Sequence, residues 1–260
     1  EKTAAALIDR GRLIFTERGL PDFSETHVEA LGGEAAYGAL SHGRASREVL
    51  LRVVVSHPDA RALDLFAREL GSMGLSTAPG VTGIFGGRPK PSPVVRLYTF
   101  FIDKAAMPTP RVTLGSAASF EVPVPLDGQS PPTSVEAALT GPADGDMVEI
   151  PLLRLAYARS GDKGDSANIA IIARRPEFLE HIRREVTVER MAAMFPDDVS
   201  GAVRRYEAPG LHAFNFLLEG ALGGGGMASM RIDPQGKAYG QRALEMIVRV
   251  PPGLLESAPT

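Results

Sequence analysis

The chain has 260 residues, 44% of them hydrophobic and 23% charged, with a formal net charge of −3 and no cysteine. That length allows one large domain or two modest ones, each with its own core. The charge balance gives no reason to expect nucleic acid, and the lack of cysteine excludes disulfides, thiolate nucleophiles, zinc-thiolate sites and iron–sulfur ligation. No apolar run approaches a membrane span, and the start lacks the basic-then-apolar order of a signal peptide, so a soluble cytoplasmic protein is expected. The chain begins at Glu1 and runs straight into a helical pattern, as expected of a piece of a longer protein. The pairs Arg174-Arg175, Arg183-Arg184 and Arg204-Arg205 have Glu177, Glu180 and Glu185 among them and read as a solvated mixed-charge face.

In chain order, Leu7, Gly11, Ile14 and Phe15 repeat at helical spacing over residues 3–18, and Gly19-Leu20-Pro21 is a stop signal. Residues 23–31 and 49–55 read as strands, the second rich in Val and Leu. Pro58 and Asp59 open a helix with Leu63, Phe66, Ala67 and Leu70 on one face, ending near Gly71. Residues 72–92 form a long Gly/Pro/Ser/Thr connection, and residues 94–102 resume as a strand. Between 107 and 146 the density of Pro, Gly, Ser and Thr marks a linker with room for one short strand (Pro131-Pro132, Gly141-Pro142).

A second unit begins near Val148. Residues 150–157 and 168–173 are expected strands, with 158–167 as the loop between them. Residues 176–186 form a helix, and Thr187 caps another carrying Val188, Met191 and Met194. Residues 203–207 and 213–219 are strands parted by Ala208-Pro209-Gly210. A glycine-rich loop over 220–226 follows, then strands near 228–232 and 244–250 with a turn at Asp233-Pro234-Gln235-Gly236 between them. Strands interspersed with a few helices predict an α+β protein of two α/β-sandwich units, the second an open sheet with helices on one face.

The segment Arg159-Ser160-Gly161-Asp162-Lys163-Gly164-Asp165 is the leading candidate for chemistry. Its glycines permit positive φ and let main-chain N–H groups converge on an anion. Lys163 supplies charge to a phosphate or carboxylate, and Arg159 a planar fork. Asp162 and Asp165 suit a hard cation such as Mg²⁺, or one of them a general base. The bland alternative is a tight polar hairpin, but a ten-residue charged loop with Asn168 at its exit exceeds what a hairpin of about two to five loop residues needs. The run Gly223-Gly224-Gly225-Gly226 reads equally as a ligand-contacting backbone or as a flexible connection. A third candidate stretch, residues 76–96, holds Thr77, Thr82, Arg88, Lys90 and Arg96, and reads slightly better as a structural surface loop. The five histidines lack metal-type spacing, and His212, near the strand containing Asn215, is the one singled out for test. There is no P-loop, no dinucleotide fingerprint and no Gly-x-Ser-x-Gly elbow.

The stretch from Leu155 to Ile169 around this motif resembles the signature of the acyclic terpene utilisation (AtuA-like) family. So do Arg205-Tyr206-Glu207-Ala208-Pro209-Gly210-Leu211, Asn215-Phe216 and Gly220-Ala221-Leu222-Gly223-Gly224-Gly225. Ala78-Pro79-Gly80-Val81-Thr82-Gly83 and Ser92-Pro93-Val94-Val95-Arg96-Leu97 resemble the end of that family's larger N-terminal domain. The resemblance implies that residues 1–106 are the C-terminal part of that domain, 107–147 a linker and 148–260 a ferredoxin-like domain. It also implies a missing N-terminal domain or partner subunit, homo-oligomerisation, and catabolism of branched, terpene-derived acids as coenzyme A thioesters.

Residues and resemblance together lead to an expected lyase- or hydratase-like step on an acyl-coenzyme A or related carboxylate. In it, Asp162, Lys163 and Asp165 are catalytic, while Arg159, Ser160, Gly161, Gly164, Asn168, Asn215, Gly223, Gly224 and Gly225 hold the substrate. Coenzyme A enters as part of the substrate, Mg²⁺ is the cofactor to test, and no dedicated metal site is assigned. The competing expectation is a non-catalytic binding or assembly module that docks a partner.

Overall fold

The computed structural model describes residues 1–76, 78–84, 86–126 and 146–257. Thr77 and residues 127–145 of the Pro-rich linker lie outside the described residues. Contacts divide the chain into a unit of Glu1–Arg96 with Leu139–Thr260, and a smaller unit of Leu97–Ala138.

In the larger unit, α1 (Lys2–Glu17) buries the stripe Ala4, Ile8, Gly11, Ile14 and Phe15. Gly11 is the point of closest packing, since a Cβ there would stand 2.8 Å from Phe23 and 2.9 Å from Phe66. Strands β1 (Glu25–Leu31) and β2 (Leu50–Ser56) pair antiparallel, Val28 against Val53. Val28, Val53 and Val55 lie against a core of Ile8, Phe15, Phe23, Ala62, Phe66 and Met73, to which α2 (Ala60–Ser76) contributes. The helix expected to stop near Gly71 therefore runs five residues further.

Among its described residues the smaller unit has one short antiparallel pair, β3 (Arg111–Val112) with β4 (Phe120–Glu121). The strand expected over 94–102 does not form. Its apolar side chains have no ladder partner among the described residues, and Leu97, Tyr98, Phe100, Phe101 and Ile102 are exposed.

Within the larger unit, β5 (Val148–Pro151) ends in a 3-10 turn before β6 (Ala156–Lys163), which divides the single strand expected over 150–157. Pro151 closes β5, having no N–H for a further ladder bond. Strand β7 (Ser166–Ala173) follows, then α3 (Leu179–Glu185), α4 (Val188–Ala193), β8 (Val203–Ala208), β9 (Ala213–Leu218), α5 (Tyr239–Leu244) and β10 (Ile247–Val250). Thr187 caps α4 as expected, accepting from the Arg190 N–H at 3.2 Å. Four strands form one antiparallel sheet in the order β6-β7-β9-β8, while β5 pairs with β10. Because β9 lies between β7 and β8, the β7–α3–α4–β8 segment is a split βαβ unit. One face of the sheet, with Ala167, Ile169, Ile171, Phe214, Phe216 and Leu218, joins Phe178, Ile182, Met191 and Phe195 in a single core.

Two further expectations fail here. Residues 228–232 are irregular, within a connection that runs without strand or α-helix from Glu219 to Ala238. The strand expected over 244–250 is shorter, β10 at Ile247–Val250, and α5, not foreseen, ends at Leu244 before it.

Candidate functional site

The expected ten-residue loop is a strand-turn-strand. Lys163 pairs with Ser166, leaving Gly164-Asp165 as a two-residue hairpin with Gly164 at φ +68°. Glycine with positive φ at the first turn position is what a type II′ hairpin requires. Arg159, Asp162 and Lys163 thus belong to the edge strand β6, whose period of two sorts them between the faces of the sheet. Ala156, Ser160 and Asp162 point to the covered face, whereas Tyr157, Arg159, Gly161 and Lys163 point to the open one. Asp162 and Lys163, expected to act side by side, are on opposite faces.

On the covered face, Ser160 is buried and its hydroxyl is fully occupied. Its Oγ lies 2.6 Å from the Gly236 carbonyl and 3.0 Å from that of Lys237, and it accepts from the Gly240 N–H at 2.8 Å. A hydroxyl so engaged in the interior staples β6 to the start of α5. Asp165 is likewise engaged by hydrogen bonds. Its carboxylate accepts from the Gly224 N–H at 2.7 Å, and its carbonyl accepts from Ala221 at 2.9 Å and Leu222 at 3.1 Å. Asp162 lies instead beneath Gly226, its Oδ2 3.5 Å from where a Cβ on that glycine would stand. The two carboxylates therefore do not converge on a cation, and no group of three or more metal-binding side chains occurs among the described residues.

The glycine run is a built contact. Gly223, Gly224 and Gly225 have φ of +62°, +99° and +86°, and a Cβ on Gly225 would stand 2.8 Å from the Gly164 carbonyl oxygen. The loop thus lies directly on the tip of the β6–β7 hairpin.

The open face carries the polar residues that remain available. Arg159 lies opposite Ala170, which pairs with Asn215, and Gly161 lies opposite Asn168. Asn168 donates through Nδ2 to Asn215 Oδ1 at 3.0 Å. Lys237, which the sequence did not single out, joins them. Its Nζ is 3.2 Å from where a Cβ on Gly161 would be, although its carbonyl contacts Ser160 on the covered side. The Lys237 side chain therefore crosses the free edge of β6. Arg159, Lys163 and Lys237 have no carboxylate partner among the described residues, so three cations flank an amide pair. His212 is not part of this group: it is exposed at a φ of +49°, and its carbonyl accepts from Ala173 N–H at 3.0 Å.

Two charged networks, also unforeseen, anchor the loop between β9 and α5. Glu29 Oε1 accepts from the Ile232 N–H at 2.8 Å, and Arg52 lies 2.5 Å from both Glu29 Oε2 and the Met230 carbonyl. Burial raises the Glu29 pKa, but the Ile232 N–H, His27 and Arg52 outweigh it and hold the carboxyl below its ordinary value. Asp198 pairs with Arg231 at 3.2 Å and Arg242 at 2.6 Å, and the Tyr239 hydroxyl donates to the Ala221 carbonyl at 2.8 Å. Burial first, then Asp198, pushes the Tyr239 pKa up. Only His27 and Glu29 left a trace in the sequence, as alternate residues sharing one face of a strand.

A split βαβ sheet with its hairpin tip under a glycine loop, beside a charged open face, defines an α+β protein with a ferredoxin-like domain. Two family models match in tandem: the acyclic terpene utilisation family protein AtuA over residues 2–113, and the AtuA ferredoxin-like domain over residues 150–249. The chain belongs to the acyclic terpene utilisation, or AtuA-like, family, which places it in a catabolic context. No curated protein and no solved structure shows a significant match. No helix among the described residues is long and apolar enough to cross a membrane.

Proposed function

We propose that this chain acts on an acyl-coenzyme A or a related carboxylate in the utilisation of acyclic terpenes and branched acids, in a lyase- or hydratase-like step. The observation that carries this reading is the open face of the sheet, where Arg159, Lys163 and Lys237 stand without carboxylate partners among the described residues, around the Asn168–Asn215 pair. Cations placed this way favour a phosphate or carboxylate through charge-assisted hydrogen bonds. Because β6 is an edge strand, a ligand wrapped over that edge reaches Lys163 on one face and Asp162 on the other. Asp162 then serves as the base and Lys163 offsets negative charge as it develops. The proposed organisation keeps residues 1–106 as part of a larger domain, 107–147 as a linker and 148–260 as the ferredoxin-like domain.

The test is calorimetric titration with isovaleryl-coenzyme A, with and without Mg²⁺. Removing any one of the three cations should weaken binding by about 10- to 100-fold, the worth of one charged hydrogen bond. Undiminished binding by a variant lacking all three cations would refute the assignment. The exposed run Leu97, Tyr98, Phe100, Phe101 and Ile102 favours a second reading, a module that docks a partner subunit. Sedimentation analysis showing a monomer at all concentrations would count against homo-oligomeric docking.

A further inference from the structure

Two cavities of the larger unit meet at Ser229 and Met230, in the loop between β9 and α5. They differ in charge. The larger, about 750 Å³, is lined by Glu25, Glu29, Glu34, Asp197 and Asp198 among others, with Arg44 and Arg231 as its arginines among the described residues. The smaller, about 360 Å³, has no carboxylate in its wall among the described residues. Its wall is Val53 and Val55 from β2, Leu63, Phe66 and Leu70 from α2, and Met227, with Pro89, Pro91 and Pro93 closing one side. Arg52 and Lys90 are its only charged residues among those described. Lys90 is exposed and has no ion-pair partner among the described residues, whereas Arg52 is held by Glu29 and the Met230 carbonyl.

We infer that the 360 Å³ groove beside β2 and α2 binds the methyl-branched hydrocarbon chain of an acyclic carboxylate, with Lys90 at the rim facing its anionic or thioester end. Its volume falls in the range of about 300–1,000 Å³ typical of small-molecule sites, which are predominantly apolar with a few placed polar groups. Electrostatics decides between the cavities: the acidic one repels a carboxylate, and the apolar one offers a single free ammonium. The glycine loop links the groove to the hairpin tip. Gly225 lies against the Gly164 carbonyl, a Cβ on Gly224 would be 3.3 Å from the Ala228 Cβ, and Ala228 lines the groove. This inference rests on the acyl-carboxylate reading and adds the place of the acyl chain.

The experiment titrates the intact chain with 3,7-dimethyloctanoic acid, with unbranched octanoic acid, and with the coenzyme A thioester of the branched acid. The variants are Met227→Glu, Lys90→Glu and Lys163→Ala, all at exposed positions. The branched acid should bind more tightly than octanoic acid. Met227→Glu and Lys90→Glu should each weaken the free acid by about 10-fold or more, since each sets a carboxylate against the ligand. Lys163→Ala should weaken the thioester alone. A free acid bound equally by wild type and both groove variants overturns the inference. A thioester bound through Lys163, with the free acid not bound, overturns the groove and leaves the anion face standing. Binding of neither ligand removes both readings.

Discussion

Replacing Gly225 by Ala tests whether the glycine run is a built contact or a slack connection. Gly225 is buried at a φ of +86°, a conformation that costs an L-residue roughly 1–2 kcal/mol. Its new methyl group would also stand 2.8 Å from the Gly164 carbonyl oxygen and 3.2 Å from its carbon. Both are backbone atoms of a tight hairpin, so relief requires the tip or the loop to move, at an overpacking cost of about 1–3 kcal/mol. The two effects sum to about 2–5 kcal/mol. Gly223 is the internal control, because its φ is +62° but a Cβ there meets nothing nearer than 3.7 Å. Gly223→Ala should therefore show the conformational cost alone, about 1–2 kcal/mol. Urea unfolding of both variants, followed by far-UV circular dichroism, measures the difference directly. Equal losses, or a Gly225→Ala variant as stable as wild type, would refute a tight fit between the loop and the hairpin tip.

Ser160→Ala should destabilise the fold by about 1–3 kcal/mol in the same assay, because it leaves the Gly240 N–H and the Gly236 carbonyl without their buried partner. Arg242→Ala should cost at least as much, about 2–4 kcal/mol, since it removes the nearer of the two guanidiniums on Asp198, leaving Arg231 alone, and with it the cation lying 4.4 Å over the Phe195 ring; thermal unfolding checks this. Glu29 has a folded pKa below its ordinary 4.5, so its contribution is present above that value and is lost as pH falls through the folded pKa. Amide exchange at Ile232 should accordingly lose protection below about pH 4.5 faster in wild type than in Glu29→Gln, whose neutral amide cannot titrate. Parallel pH profiles for the two proteins would remove Glu29 as the cause.

Elements with strong local signals were legible in the sequence. The stripe of Leu7, Gly11, Ile14 and Phe15 marked α1, and Thr187 marked the start of α4, because periodicity and capping act within a few residues. Residues 94–102 were misleading for the complementary reason: their β propensity is real, but a strand needs a partner that the local sequence does not supply. The motif at Arg159–Asp165 was found, but its layout was not. Its glycines and charges mimic a loop, and the register with β7 that sends Asp162 and Lys163 to opposite faces depends on pairing across the chain. Lys237 joins the candidate face from 76 positions beyond Gly161, through a close approach visible only in the fold. The Asp198–Arg231–Arg242 cluster is assembled from three separated segments and leaves no local pattern.

The loop between β9 and α5 is tied at Gly224 to the Asp165 carboxylate, and at Met230 and Ile232 to Arg52 and Glu29. Two ends fastened to different elements make that loop a thermodynamic link. A ligand that alters the free energy of the Glu29 attachment must, by reciprocity, see its own affinity altered to the same degree by changes at the hairpin tip that act through the loop. A substitution such as Asp165→Asn then becomes a gauge of communication: its effect on affinity in the groove beside β2, a site it does not touch, measures the coupling free energy that the loop carries.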